Sequence, residues 1–244
     1  MANIITRNIP NAVTCLNLLC GCMAVICAFS PLEKMCGLYG YQACFLFILG
    51  GALADFLDGF FARLLKAFSP LGADLDSLSD LITFGVAPAM LIYNIFVASP
   101  AEEWMRWSAL LIPLFGALRL ARFNVDASQA TEFRGLPIPS CALFCIGLVD
   151  IMVSPSGFNP WAAVGCVVFI AFMMVAPLRM MSLKFKGFAP RGTNLMRYFL
   201  LAAAAVCLSL WHWTGLLIAI CVYIILSFIV NLVQFTPAAD SDSE

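Results

Sequence analysis

Long apolar segments separated by short polar connections make up most of this chain of 244 residues. A run of about 20 predominantly apolar residues is long enough to cross a bilayer as a helix. Eight segments meet this criterion or come close to it, at residues 11–29, 40–65, 73–97, 105–124, 137–153, 160–178, 196–211 and 214–234. The pattern predicts an all-α integral membrane protein with about eight transmembrane helices. We expect residues 1–236 to form a single polytopic membrane domain and residues 237–244 a flexible acidic tail.

The composition supports this prediction, because 63% of the residues are hydrophobic and only 11% are charged. A soluble domain carries about 25% charged residues. No basic run with interleaved aromatic residues is present, so nucleic acid is not an expected partner. Of the eleven cysteines, only Cys36 lies outside the apolar segments. We therefore expect the cysteines to be small buried side chains rather than a disulfide framework.

The distribution of lysine and arginine predicts the orientation in the membrane. If the N-terminus is cytoplasmic, eight spans place all 13 basic residues except Lys34 and Arg106 on the inner side. Both termini then lie in the cytoplasm. The expected location is the cell inner (cytoplasmic) membrane, and any site at the inner ends of the helices would face the cytoplasm.

Five aspartates lie close together in an otherwise apolar region, at Asp55, Asp58, Asp74, Asp76 and Asp80. Placing an ionisable side chain at the centre of a membrane helix costs about 2.5–3.5 kcal/mol on insertion scales. The first two aspartates are predicted near the inner end of the second span, and the other three in the first turns of the third span. A break at the intervening Ser-Pro pair, residues 69–70, would let the two helices face their carboxylates toward each other.

Carboxylates that converge from two helices repel one another, so a group of four requires a cation. Hard oxygen ligands suit Mg²⁺ or Mn²⁺, and four carboxylates are enough for two ions that bridge a substrate phosphate. The nearby Gly59, Ala62 and Gly72 would allow close approach to the backbone, and Arg63 offers a cationic fork for a diphosphate. An acidic cluster can also line a cation pathway, but these acids all lie at one end of the membrane.

The spacing of these residues resembles the signature of the CDP-alcohol phosphatidyltransferase family. All eight motif positions are filled, in the order Asp55-x2-Asp58-Gly59-x2-Ala62-Arg63-x8-Gly72-x3-Asp76-x3-Asp80. The motif covers about a tenth of the chain, and the multi-span layout is consistent with the family. Enzymes of this family move a phosphatidyl group from a CDP-linked lipid to an alcohol and release CMP.

The resemblance implies a role for each motif residue. Two ions, Mg²⁺ or Mn²⁺, would be held by Asp55, Asp58, Asp76 and Asp80, and Asp80 would also be the catalytic base. The CDP-lipid would be bound by Asn11, Thr14, Gly59, Ala62, Arg63, Ser69 and Gly72. Asn11 is also expected to cap the first helix, where a helix N-terminus favours an anion. Asp74 lies outside the motif and has no assigned role, and a homodimer is expected because similar family members form one.

Three further segments, at residues 83–89, 116–124 and 135–139, resemble the branch of the family that uses serine as the acceptor alcohol. Arg119 and Arg122 lie three residues apart at the inner end of the fourth span. They are expected to share one helix face and to bind the serine carboxylate. The implied substrates are CDP-diacylglycerol and L-serine, taken up at the lipid bilayer. A glycerol 3-phosphate or inositol acceptor is the alternative within the family, and a divalent-cation transporter is the alternative from another class.

Overall fold

The computed structural model describes residues 4–125, 135–178, 180 and 193–235, and this part of the chain is almost entirely helical. The helices are α1 (Ile4–Ala28), α2 (Gly40–Leu64), α3 (Pro70–Asp80), α4 (Ala87–Ala98), α5 (Leu111–Val125), α6 (Ile138–Met152), α7 (Pro160–Val175), α8 (Thr193–Trp211) and α9 (Thr214–Phe235). A π-helical segment, Leu81–Val86, joins α3 to α4, and a 3-10 helix, Glu103–Leu110, leads into α5. A short antiparallel hairpin, β1 (Lys34–Met35) and β2 (Leu38–Tyr39), connects α1 to α2.

Helices occupy all eight predicted spans within the described residues. In the part of the chain that the structure describes, five helical stretches are long and apolar enough to cross a membrane, namely Asn8–Ala28, Gly40–Leu64, Pro70–Ala98, Glu103–Val125 and Thr214–Asn231. The helices at the other three predicted spans are shorter apolar segments, Ile138–Met152, Pro160–Val175 and Tyr198–Trp211. The predicted all-α polytopic membrane fold is confirmed, and its third span is α3, the π-helical segment and α4 in direct succession.

Two helix starts near the acidic region have clear local causes. Helix α3 begins at the expected break, because the Ser69 hydroxyl accepts a hydrogen bond from the Gly72 N–H at 3.0 Å and Pro70 occupies the first helical position. Proline is favoured there since its missing N–H has no partner within the helix. Helix α1 begins at Ile4, upstream of the predicted start. The prediction that Asn11 caps α1 is therefore wrong. Pro10 falls in the second helical turn, where it removes one backbone donor without ending the helix.

Helix α1 is central to the part of the bundle that carries the acids, because it packs against α2, α3, α4 and the π-helical segment. The core is filled by large buried side chains, including Phe45, Phe84 and Phe144. Large apolar side chains such as Leu16 and Leu19 of α1 remain exposed on the outside. An apolar exterior around a packed core is what a helix bundle in lipid requires. Two of the acids, Asp58 and Asp80, are buried against α1 rather than exposed on the outer surface.

The remaining acid within an apolar helix, Asp150 of α6, is accounted for by a structural contact. Its Oδ2 accepts hydrogen bonds from the backbone N–H and the hydroxyl of Thr214, at 3.1 and 2.7 Å. Thr214 is the first residue of α9, so the carboxylate satisfies donors at a helix N-terminus, where a negative charge is favoured. Asp150 therefore ties α6 to α9 and is separate from the acidic motif.

Candidate active site

Helix α1 presents buried polar side chains to the acid-bearing helices. The Thr14 hydroxyl donates to Asp58 Oδ2 at 2.7 Å, and the Asn17 side-chain amide donates to Asp80 Oδ1 at 3.2 Å. Thr14 and Asn17 are 3% and 0% exposed, so both hydrogen bonds are shielded from solvent. Residues three apart share a helix face. One face of α1 therefore contacts a carboxylate from α2 and a carboxylate from α3.

Three of the four motif aspartates form a compact group of oxygen donors. One carboxylate oxygen from each of Asp55, Asp76 and Asp80 lies within 4.8 Å of the other two. Asp76 Oδ1 is buried and has no hydrogen-bond partner. Among the described residues, no lysine or arginine forms an ion pair with these acids. These three features fit a divalent cation such as Mg²⁺ or Mn²⁺, which prefers several hard oxygen donors close together.

The fourth motif aspartate, Asp58, takes a different position. It is buried, but it lies outside the group of three, and its Oδ2 accepts the Thr14 hydrogen bond. It faces the pocket described next. Asp74, which the motif leaves without a role, is exposed on α3. The structure thus brings three motif carboxylates together and places the fourth at the edge of the neighbouring pocket.

A pocket of about 210 Å³ opens beside the acidic group. Its lining includes six of the seven residues predicted to contact the CDP-lipid, which are Asn11, Thr14, Gly59, Ala62, Ser69 and Gly72. Asp58 and Asp76 also line it, so the pocket and the carboxylates share a wall. Arg63, the seventh predicted residue, is not part of this lining, but its guanidinium nitrogens lie 3.7 and 3.8 Å from where a Cβ on Gly59 would be.

The absence of a side chain at Gly72 allows α1 and α3 to approach closely at this pocket. A Cβ at that position would lie 2.9 Å from Asn11 Oδ1 and 3.0 Å from Ser69 Oγ. Real Cβ atoms rarely come so close to an oxygen, so the two polar groups would have to move. Gly72 therefore sets the positions of two polar atoms on the pocket wall.

The two arginines predicted to bind the acceptor lie in different surroundings. Arg119 is partly buried and interacts electrostatically with Asp80, and its Nε is buried without a hydrogen-bond partner. Arg122 is exposed, and its Nη1 donates to the Val175 carbonyl at the end of α7, at 3.4 Å. Arg119 therefore interacts with the acidic group, whereas the Arg122 guanidinium is directed to α7. Binding of the serine carboxylate by these two arginines stays a prediction.

Sequence reasoning missed two polar contacts around the acids. Asn17 was not identified, although a polar residue three positions after Thr14 within an apolar helix would have been a usable signal. Asn124, at the end of α5, donates from its side-chain amide to the Ser77 hydroxyl at 2.9 Å. This hydrogen bond joins the arginine-bearing helix to α3, and nothing in the local sequence indicates it.

Together these features define a helical membrane protein in which a group of aspartates lies beside a pocket lined by small and polar residues. The sequence model of the CDP-alcohol phosphatidyltransferase family matches residues 7–187, and the chain belongs to this family. The resemblance inferred from the eight-residue motif is confirmed, and so is the prediction of an enzyme. The divalent-cation transporter, the alternative from another class, is set aside by the family membership.

Several curated proteins are similar to this chain, and each is called CDP-diacylglycerol–serine O-phosphatidyltransferase. The Bacillus subtilis (strain 168) protein is 36% identical over 147 residues, which are 60% of this chain and 77% of that protein. The Methanocaldococcus jannaschii protein is 38% identical over 146 residues, which are 60% of this chain and 62% of that protein. The Helicobacter pylori (strain J99) protein is 33% identical over 175 residues, covering 70% of each chain.

Proposed function

We propose that this enzyme transfers the phosphatidyl group of CDP-diacylglycerol to the hydroxyl of L-serine, producing phosphatidylserine and CMP. The observation that carries the proposal is the convergence of oxygens from Asp55, Asp76 and Asp80 beside a pocket lined by the motif's small residues. The choice of serine is supported by the names of the similar curated proteins and by the position of Arg119 near Asp80.

The pocket is the proposed site for the CDP group of the lipid. Gly59, Ala62 and Gly72 contribute small residues to its lining, so a diphosphate can approach the backbone at these positions. The Ser69 hydroxyl accepts from the Gly72 N–H and keeps its own hydrogen available for a phosphate or ribose oxygen. Asn11 Oδ1 and Ser69 Oγ both lie close to Gly72, and the Arg63 guanidinium lies close to Gly59.

The motif carboxylates are the proposed holders of two divalent ions. Asp55, Asp58, Asp76 and Asp80 would bind Mg²⁺ or Mn²⁺, and the oxygen-only donor set fits these metals better than soft ones. When bound, such ions neutralise negative charge on the diphosphate and on the departing CMP. The Thr14 hydroxyl holds Asp58 in place from α1 at 2.7 Å, which fixes one carboxylate before any substrate enters.

Asp80 is the proposed general base. Its carboxylate takes the proton of the serine hydroxyl while the serine oxygen forms a bond to the phosphorus that carries diacylglycerol. The bond from that phosphorus to the bridging oxygen breaks, and the oxygen leaves with CMP. A positioned base typically contributes about 10²- to 10⁴-fold to such a step. Asp80 is 9% exposed, so little water competes for its carboxylate.

The acceptor is proposed to be held by arginine. Arg119 has an unpartnered Nε and interacts electrostatically with Asp80, so a serine carboxylate bound there would bring its hydroxyl near the base. Arg122 is the proposed second partner, and it would have to release the Val175 carbonyl to reach the same carboxylate. A glycerol 3-phosphate or inositol acceptor is the competing proposal within the family.

We further propose that the active site faces the cytoplasm from the inner membrane, with both termini on that side, and that residues 1–236 act as one domain. The bias of lysine and arginine toward the predicted inner connections supports this orientation. A homodimer is proposed on the resemblance to the family alone. Cysteine labelling from either side of sealed vesicles would test the orientation, and cross-linking in membranes would test the dimer.

The proposed reaction is tested with membranes containing the enzyme, CDP-diacylglycerol and Mg²⁺ or Mn²⁺, supplied in turn with labelled serine, glycerol 3-phosphate or inositol. We expect serine label in lipid with equimolar CMP release, and loss of both after chelation of divalent ions. D80N should nearly abolish turnover and leave CDP-diacylglycerol binding largely intact. Label entering lipid from a different acceptor would overturn the choice of serine, and normal turnover in D80N would remove Asp80 as the base.

A further inference from the structure

Asn17 is fully buried at the point where α1, α2 and the π-helical segment meet. Its side-chain amide donates to Asp80 Oδ1 at 3.2 Å, and its backbone carbonyl accepts from the Thr83 hydroxyl at 3.0 Å. Thr83 belongs to the π-helical segment that begins directly after Asp80. π-Helical turns are rare and are frequently found at functional sites. Asn17 therefore contacts both Asp80, the last residue of α3, and the π-helical segment that directly follows it.

Two glycines leave the space that this arrangement requires. A Cβ on Gly51 of α2 would lie 2.5 Å from Thr83 Cγ2 and 2.9 Å from Asn17 Oδ1. A Cβ on Gly21 of α1 would lie 2.4 Å from Thr83 Oγ1. The close approach of Gly51 leaves the Asn17 side chain little room to rotate, and Gly21 allows Thr83 to approach α1. Its position relative to Asp80 is accordingly fixed by the fold rather than by a bound substrate.

The direction of the hydrogen bond also follows from the surroundings. In the ionised form that a general base requires, the Asp80 carboxylate can only accept, so the Asn17 amide nitrogen is the group that bonds to it. The reverse orientation would set Asn17 Oδ1 against Asp80 Oδ1, two acceptors in contact. In the observed orientation Oδ1 is buried without a hydrogen-bond partner. An unpartnered buried acceptor lowers stability, so an amide at this position is better explained by its contact with Asp80 than by its contribution to the fold.

We propose that Asn17 is a positioning residue that fixes the Asp80 carboxylate through one oxygen, so that the other oxygen is directed at the acceptor hydroxyl. This inference rests on the proposed role of Asp80 as general base. In this role Asn17 does not touch the substrate. It does not line the pocket proposed for the CDP group either. Its loss should therefore slow the chemical step without weakening binding of the CDP-lipid.

The test compares N17A and N17D with the wild-type enzyme and with a matched control, N94A. Asn94 of α4 is a partly buried amide that donates only to the Met90 carbonyl of its own helix, at 2.9 Å. For each protein, kcat and the KM for serine are measured, together with CDP-diacylglycerol binding in the absence of serine and thermal unfolding in detergent. T83V, which is close in shape to threonine, is a further variant that removes the hydroxyl bound to Asn17 without touching Asp80.

We expect N17A to lower kcat roughly 10- to 100-fold, since a small misplacement of a reacting group costs up to about 10²-fold. CDP-diacylglycerol binding and the KM for serine should change less than about two-fold, which is the pattern of an interaction made in the transition state. N17D should be slower than N17A although it matches asparagine in size, because it replaces the donor with an acceptor. T83V should lower kcat by a smaller factor, and N94A should leave it unchanged.

A double-variant comparison separates positioning from a general structural effect. If Asn17 acts through Asp80, adding N17A to D80N causes no further loss of residual turnover. An unchanged kcat in N17A, or an equal loss of kcat and of CDP-lipid binding, would overturn the inference. A further loss in the D80N background would do the same. Failure of the wild-type enzyme to use serine would instead count against the proposed function, so the two failures are distinguishable.

Discussion

Replacing Gly72 with alanine offers a sharp test of the pocket, because its effects on stability and on binding separate. The new Cβ would lie 2.9 Å from Asn11 Oδ1 and 3.0 Å from Ser69 Oγ, so both polar groups must move. Displacing Ser69 weakens the N-cap of α3, which costs about 1 kcal/mol. Alanine is also a better helix former than glycine, by about 0.8–1.0 kcal/mol in a helix interior and by less at the third position of α3. These contributions have opposite signs, so the net change in stability should be below about 1 kcal/mol.

The effect of G72A on CDP-diacylglycerol binding has no compensating contribution of opposite sign. The methyl group projects between two polar atoms that are proposed to face the diphosphate, and a hydrogen bond to a charged group is worth about 1.5–3 kcal/mol. Since about 1.4 kcal/mol corresponds to a factor of ten, G72A should weaken CDP-diacylglycerol binding by roughly 10- to 100-fold. The melting temperature should shift by no more than about 4 °C, from the usual relation for chains of this size.

The assay titrates CDP-diacylglycerol against serine incorporation and measures thermal unfolding of the same preparation in detergent. G165A is the matched control, because Gly165 lies on α7 and a Cβ there meets nothing within 4 Å. The control should keep the binding of the wild-type enzyme. Unchanged CDP-lipid binding in G72A would refute the placement of the diphosphate in this pocket. A large drop in melting temperature would show instead that the packing of α1 against α3 dominates.

Three further predictions follow from contacts around the site. T14V should lower activity at limiting Mg²⁺ more than at saturating Mg²⁺, because Asp58 loses its hydrogen bond from Thr14. T14S keeps a hydroxyl and should retain the activity of the wild-type enzyme, and a loss in T14V that is independent of metal concentration would contradict this prediction. R119A should raise the KM for serine more than the KM for CDP-diacylglycerol in steady-state kinetics. Equal effects on the two KM values would contradict the proposed contact between Arg119 and the serine carboxylate. G135A should destabilise the protein by more than about 1 kcal/mol, because Gly135 has φ +77° and a Cβ would lie 2.2 Å from the Met174 carbonyl oxygen. Thermal unfolding measures this change, and an unchanged melting temperature would contradict the close packing at Gly135.

The sequence alone was sufficient for the membrane class, the approximate positions of the helices and the family. Apolar runs of spanning length are a local property, so they predict helices in lipid without knowledge of how the helices pack. The acidic motif is equally local, because its fixed gaps place Asp55 and Asp58 on one helix and Asp76 and Asp80 on the next. The start of α1 was misplaced because the apolar pattern begins at residue 11, whereas the helix continues upstream through Pro10 to Ile4.

Only the tertiary structure decided which residues hold the acids in place. The hydrogen bonds from Thr14 to Asp58, from Asn17 to Asp80 and from Thr83 to Asn17 join residues 44, 63 and 66 positions apart. Spacing within one helix cannot reveal such contacts, because they depend on how α1 lies against α2 and α3. The same holds for Arg119 and Arg122. Their sequence interval predicts a shared face, but packing leaves one near Asp80 and directs the other to the end of α7.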